Sequence, residues 1–143
     1  MITRLTHINI YVLDQDSALD FYTNKLGLKV IIDVPMSKDA RWLTVGTTEQ
    51  PGFEINLTLI YESLLHSRET AKTLRELVKK GTFGVGIFTC TDILATYEEL
   101  KAKGVVFRSA PKEQFYGIEA IITDGVGNWF SMTQTKPNIP GSP

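Results

Sequence analysis

The sequence contains one pattern of elements twice, about 77 residues apart, and this duplication constrains the fold more than any other feature. Asp14 and Asp92 each precede a helical stretch and lie 78 residues apart, whereas Gly27 and Gly104 end those stretches and lie 77 residues apart. Near-constant spacing across a whole supersecondary unit is typical of an internal duplication. The chain is therefore predicted to form two similar modules.

The first module is predicted to contain one strand, one helix and three further strands. Residues 5–13 alternate, so that the side containing His7, Asn9 and Tyr11 is opposite an apolar side. The Asp-Gln-Asp-Ser segment that follows offers helix-capping residues, and apolar residues at helical spacing predict a helix over 16–26. Short segments rich in β-branched and aromatic residues predict strands over 28–34, 40–45 and 53–60.

The second module repeats this order. A strand is predicted over 85–90, a helix over 93–103 and strands over 105–108, 118–123 and 129–134, the last two joined by a tight turn at 124–128. Between the modules, residues 64–80 carry the apolar stripe of an amphipathic helix. This stripe is typical of a linker helix covering a sheet edge, and a dimer contact is the alternative.

Composition indicates a cytoplasmic globular protein. A chain of 143 residues is long enough to bury a hydrophobic core without stabilising disulfide bonds or metal ions. The near balance of 15 basic and 16 acidic residues does not favour a nucleic-acid or membrane partner. The single cysteine, Cys90, excludes an internal disulfide framework and fits a reducing compartment. No secretory signal or membrane-spanning stretch is evident.

At this point the chain resembles the vicinal-oxygen-chelate superfamily, which contains glyoxalase I, extradiol dioxygenases and bleomycin-resistance proteins. The matching segments are THINIYVLDQDSALDFYTNKLGLKV at 6–30, RWLTVG at 41–46, FTCTDILATYEELKAKGVVF at 88–107 and QFYGIEAIITDGVGNWFSMTQ at 114–134. The resemblance implies an α+β fold in which two βαβββ modules form a mixed, eight-stranded, cavity-enclosing sheet. It also implies a homodimer. One domain is expected over 1–134, with module one at 1–62, the linker helix at 63–81, module two at 82–134 and a flexible tail at 135–143.

The resemblance also identifies the positions where metal-using members of the family place four ligands. The first position is His7, which is retained, and the second falls on Asn56 where such enzymes usually have glutamate. The third falls on Val85 instead of histidine and the fourth on Ser131 instead of glutamate. An amide, an alkyl group and a hydroxyl do not offset the dehydration of a divalent ion, so no metal cofactor is expected. Glu54 is an alternative donor, because it lies on the same strand face as Asn56 and could join His7.

Residues of inward parity predict a neutral, hydrogen-bonding cavity with aromatic walls. The expected ligand-binding residues are His7, Asn9, Tyr11, Asn56, Thr89, Tyr116, Trp129 and Ser131. Thr58, Trp42 and Phe115 are further candidates, although Trp42 is equally compatible with the core. His66 is expected to be unrelated to the cavity, and Cys90 is expected to be a small core residue facing the helices.

Two functions follow from these residues. The leading hypothesis is a metal-independent binder of a planar or partly polar small organic molecule. The alternative is a lyase, isomerase or dioxygenase of the same superfamily, with or without metal, that uses His7.

Overall fold

The computed structural model describes residues 1–137 and contains every element predicted for the two modules. The elements in chain order are β1 (His7–Val12), α1 (Gln15–Asp20), β2 (Lys29–Pro35), β3 (Arg41–Gly46), β4 (Glu54–Leu59), α2 (Arg68–Lys79), β5 (Phe83–Thr89), α3 (Ile93–Ala102), β6 (Phe107–Gln114), β7 (Gly117–Thr123) and β8 (Asn128–Thr135). The predicted flexible tail begins within β8, and its residues 138–143 lie outside the described residues.

Each module forms its own four-stranded mixed sheet. The strand orders are β1-β4-β3-β2 and β5-β8-β7-β6, with β1 parallel to β4, β5 parallel to β8 and the remaining pairs antiparallel. The α+β class and the two βαβββ modules are thus confirmed, and the eight strands are divided between two sheets. The chain divides into two compact units, one covering residues 1–80 with α2 and the other beginning at Gly81.

The duplicated helix signals act in the same way in both units. The carboxylates of Asp14 and Asp92 each accept a hydrogen bond of 3.0 Å from the backbone N–H three residues later. Gly27 and Gly104, which follow the two helical segments, have φ angles of +79° and +85°. Glycine adopts this left-handed conformation without steric cost, so both residues terminate a helix as predicted.

Three boundaries differ from the predictions for local physical reasons. The predicted helix over 16–26 is α-helical only to Asp20 and continues as a π-helical turn over Phe21–Lys25. Helix α2 begins at Arg68 and not at residue 64, because Ser67 caps it by accepting a hydrogen bond from the Thr70 N–H. The strand predicted over 105–108 extends through Gln114, since β6 is an edge strand and tolerates Pro111.

One face of each sheet packs against its helix, and that face forms the core. In the first unit the buried side chains include Ile10, Val12, Leu43, Val45 and Leu57 of the strands with Ala18, Phe21 and Tyr22 of the helical segment. In the second unit they include Ala120, Ile122, Phe130 and Met132 with Ile93 and Leu100. Strand side chains alternate between faces, so the opposite face of each sheet carries the polar residues.

Candidate functional site

The polar face of the first sheet brings the predicted residues of that module together. In the β1–β4 register His7 lies opposite Glu54, Asn9 opposite Asn56 and Tyr11 opposite Thr58. Directly opposite residues share one face of a sheet. We call this set the first-sheet face, and it contains three of the predicted binding residues of β1 and the predicted Asn56 of β4.

His7 is held on both sides of its ring. Its Nδ1 lies 2.8 Å from the Thr6 hydroxyl, and its Nε2 lies 3.3 Å from Glu54 Oε2. A carboxylate only accepts, so Glu54 favours a proton on Nε2, and Nδ1 then accepts a hydrogen bond from Thr6. In this tautomer neither nitrogen keeps a free lone pair for a metal ion. Glu54, considered from the sequence as a substitute metal donor beside His7, contacts the imidazole directly.

Two acceptor atoms on this face lack a hydrogen bond. Asn56 donates through Nδ2 to Asn9 Oδ1 at 2.9 Å, while Asn56 Oδ1 is buried and has no hydrogen-bond partner among the described residues. Glu54 Oε2 is likewise buried without a hydrogen bond of good geometry, although His7 lies nearby. A buried acceptor without a partner costs roughly 1–3 kcal/mol. Both atoms are therefore suited to receive N–H or O–H groups from a ligand.

Aromatic rings border this face. The Trp42 indole and the His7 imidazole have centroids 6.3 Å apart, so Trp42 belongs to this face and not to the core. The Tyr11 and His66 rings meet edge to face at 5.8 Å, with the Tyr11 hydroxyl 3.5 Å from His66 Nε2. The expectation that His66 is unrelated was wrong, because the segment before α2 returns its side chain to Tyr11.

The second unit has a different set of polar residues on the corresponding face. Ser131 Oγ donates a short hydrogen bond to Glu119 Oε2, and the phenol of Tyr116 is also hydrogen-bonded to Glu119. The bond to the carboxylate stabilises the neutral phenol and raises the pKa of Tyr116 above its ordinary value. Sequence reasoning missed Glu119, although a charged residue alternating with buried Ala120 and Ile122 indicates the face that it occupies.

Trp129 and Thr89 lie on the same face of the second sheet. Trp129 is opposite Gly84 in the register, and a Cβ atom at Gly84 would overlap Trp129 Cζ2, so the indole covers this glycine. A bulge between Gly84 and Gly86 interrupts the alternation at Val85. The inward parity expected for both Val85 and Thr89 rests on uninterrupted alternation along this strand, and that alternation fails at Val85. Thr89 is exposed and lies opposite Thr133.

Cys90 directly follows β5 and is half-buried. Burial raises the pKa of its thiol, and a hydrogen bond with Thr96 of α3 partly offsets that effect. The thiol also donates to the backbone oxygen of Thr133 at 3.7 Å. A thiol with a raised pKa is a poor nucleophile at neutral pH.

The residues present do not fit the metal site of the metal-using members of the family. Among residues 1–137, no group of three or more histidine, cysteine, aspartate or glutamate side chains is placed to hold a metal ion. His7 and Glu54 supply two donors, while Asn56 and Ser131 offer an amide and a hydroxyl. Divalent transition ions in proteins generally require three or four imidazole, thiolate or carboxylate ligands.

Comparison with known families agrees with this architecture. The sequence profile of the Glyoxalase/Bleomycin resistance protein/Dioxygenase superfamily matches residues 4–132. The chain belongs to this superfamily. Superfamily relatives include the uncharacterized protein YurT of Bacillus subtilis, 36% identical over 127 residues that cover 88% of this chain and 94% of YurT. The uncharacterized protein YetH of the same organism is 30% identical over 134 residues, covering 94% of this chain and 100% of YetH.

Solved structures of the superfamily fold give the same result. UcmS2 is 41% identical with a TM-score of 0.86, and the match covers 94% of this chain and 100% of UcmS2. TnmS3, an antibiotic binding protein from Streptomyces sp. CB03234, has a TM-score of 0.72 at 22% identity, over 94% of this chain and 98% of TnmS3. The TnmS3 likeness shows the fold alone. Within residues 1–137 no helix is long and apolar enough to cross a membrane.

Proposed function

We propose that the protein binds a small organic molecule on the first-sheet face, without a metal ion and without converting it chemically. The observation that carries this proposal is the buried Asn56 Oδ1, which has no hydrogen-bond partner among the described residues, beside the buried Glu54 Oε2, which contacts His7 Nε2 at 3.3 Å without hydrogen-bond geometry. The two residues are separated by one residue on β4, which places their Cα atoms about 6.7 Å apart on one face. A ligand with two N–H or O–H donors at comparable spacing would satisfy both.

The aromatic border defines the rest of the ligand. Trp42, which is 37% exposed, presents an indole beside His7, and flat aromatic ligands gain stacking area on such a ring. We therefore propose a planar, neutral or cationic molecule with hydrogen-bond donors on its rim. The fold also hosts TnmS3, an antibiotic binding protein, which supports small-molecule binding as the class of function. The predicted residues of the second unit, Thr89, Tyr116, Trp129 and Ser131, stay predictions of ligand contact.

The test compares a donor ligand with its methylated analogue. Isothermal titration calorimetry with 2,7-dihydroxynaphthalene is expected to show binding, and 2,7-dimethoxynaphthalene is expected to bind at least tenfold more weakly because it lacks donors. Asn56→Leu and His7→Ala are each expected to lower the affinity for the dihydroxy compound by about tenfold without a change in the metal content of the protein. Glu54→Gln is expected to weaken binding of the dihydroxy compound as well, because an amide oxygen accepts more weakly than a carboxylate. Glu62→Gln is its matched control, since Glu62 is exposed and pairs with Arg68 at 3.3 Å. Equal affinity for both naphthalenes would refute the proposal.

Catalysis without a metal is the second candidate function. The 3.3 Å contact of Glu54 with His7 Nε2 favours it, because a carboxylate that orients an imidazole is a common arrangement for a general base. Nδ1 would be the basic atom, and it would exchange its hydrogen bond from Thr6 for one from the substrate. In that case Glu54→Gln would reduce turnover of a substrate more than it reduces binding. Binding with unchanged ligand recovered after incubation supports the leading proposal.

We also propose that the protein is a cytoplasmic homodimer. Strand β2 is an edge strand with three exposed apolar residues, Val30, Ile31 and Val34, which are 46%, 47% and 49% exposed. Apolar edge strands are commonly covered by another chain. Light scattering is expected to give twice the 16.0 kDa chain mass, and a monomeric mass over a wide concentration range would contradict this.

A further inference from the structure

A cavity lies within the first unit, away from the first-sheet face. It has a volume of about 600 Å³ and is formed where β1 and β4 end, by the connection between β2 and β3 and by α2. Val12 and Leu59 line it and are opposite each other in the register, at positions that alternate with Tyr11 and Thr58 of the first-sheet face. A volume of 300–1,000 Å³ is typical of small-molecule sites.

The walls of this cavity are mostly apolar. Val12 and Ile60 are buried in its floor, while Met36 and Tyr61 are 57% and 47% exposed. Seven of the ten lining residues are apolar or aromatic. Such walls favour the hydrocarbon part of a ligand, because burial of apolar surface contributes about 25 cal/mol per Å².

Arg75 is the one cationic side chain of this lining. It lies on the packing face of α2, between the buried residues Ala71 and Val78, where an amphipathic helix usually carries an apolar residue. Its Nη1 donates to the backbone oxygen of Ile60 at 2.9 Å, which fixes the guanidinium at the cavity. No carboxylate pairs with Arg75 in the described part of the chain, in contrast to Arg41 and Arg68.

We propose that this cavity is a binding site for an apolar monocarboxylate, with the carboxylate on Arg75 and the hydrocarbon body against Val12, Leu59 and Ile60. A guanidinium has five N–H donors in a planar fork that matches a carboxylate. One donor is used by Ile60, so the others are available to a ligand. A phosphate dianion is a poorer match, because one arginine does not balance its charge and Asp39 also lines the cavity.

The probe is 4-phenylbutyrate, measured by isothermal titration calorimetry against 4-phenylbutyramide and 4-phenylbutylamine. The carboxylate is expected to bind at least tenfold more tightly than the amide, because hydrogen bonds to charged groups contribute more than neutral ones, and the amine is expected to bind most weakly. Arg75→Met is expected to lower the affinity for the carboxylate by about tenfold or more and to leave the affinity for the amide nearly unchanged. Asp39→Asn is expected to raise the affinity for the carboxylate about twofold, because it removes a charge of the same sign.

Arg68→Met is the matched control, because Arg68 lies on the same helix and its side chain is 88% exposed. It is expected to leave carboxylate affinity unchanged. Since loss of the bond to Ile60 could unfold the Arg75→Met variant, its circular dichroism spectrum must match that of the native protein. Ala40→Leu is a second variant, which narrows the cavity and keeps Arg75. Absence of 4-phenylbutyrate binding by the native protein, equal affinity for acid and amide, or unchanged affinity in both Arg75→Met and Ala40→Leu would overturn the proposal.

Discussion

Gln15 holds together two strands at the point where their own pairing ends. The register of β3 with β4 covers Thr44 with Asn56 and Val45 with Ile55. Further along, the Gln15 amide nitrogen donates to the backbone oxygens of Arg41 and Leu57 at 2.8 Å each, and its oxygen accepts from the Arg41 N–H at 3.1 Å. Gln15 is 7% exposed, so water is not available to replace these three bonds.

Gln15→Leu keeps a similar volume and removes all three bonds. At a net 0.5–1.5 kcal/mol each, the free energy of unfolding is expected to fall by about 3 kcal/mol. For a domain of this size each kcal/mol lowers Tm by roughly 3 °C, so thermal unfolding followed by circular dichroism should shift by about 9 °C. Ser17→Ala, an exposed change on the same helix, is the control and should cost under about 0.5 kcal/mol. A loss below about 1 kcal/mol for Gln15→Leu would show that the strands pair directly without the amide.

Two other perturbations address the second unit. Gly84→Ala would place a methyl group against the Trp129 ring. We expect the free energy of unfolding, measured with denaturant, to fall by about 1–3 kcal/mol, and tryptophan emission to shift when measured in a Trp42→Phe background. Unchanged stability would show that the position of the indole does not depend on this glycine. Because hydrogen bonding to Glu119 raises the pKa of Tyr116, its phenolate should form above the ordinary value of about 10 in an absorbance titration. Glu119→Gln should lower that pKa, and an unchanged titration curve would contradict the hydrogen bond. Hydrogen bonding to Glu119 therefore contributes stability below the unfolded pKa of the phenol, and this contribution is lost as pH rises through the folded pKa.

The sequence predicted the order of elements because strand alternation, helical spacing and an Asp–Gly pair of helix boundaries each occur once in both modules. Alternation in β1 and capping by Asp14 and Asp92 are local signals, which are recognisable within one element without knowledge of the rest of the fold. The extent of β6 was not predictable, since Pro111 and the charged residues after it favour a turn unless the strand is known to be at an edge. Edge position is a property of the sheet and not of the segment.

The site was predictable only as far as strand parity holds. His7, Asn9, Tyr11 and Asn56 share one face because β1 and β4 pair without a bulge. In β5 a bulge at Val85 changes the phase, which a single sequence does not reveal. The approach of His66 to Tyr11 and of Glu119 to Ser131 involves contacts between separate segments, and side-chain periodicity carries no information about them.

The duplicated positions show how one backbone supports two chemistries. Asn9 lies opposite Asn56 in the parallel pair of the first unit, and the two amides bond to each other at 2.9 Å. At the corresponding pair of the second unit Ile87 lies opposite Ser131, and an alkyl group offers no hydrogen bond, so the serine donates to Glu119 on the neighbouring strand. Glu119 is thereby occupied by hydroxyl donors of its own chain, whereas the first unit leaves Asn56 Oδ1 without one. We therefore expect ligand specificity to depend more on substitutions in the first-sheet face than on those around Glu119.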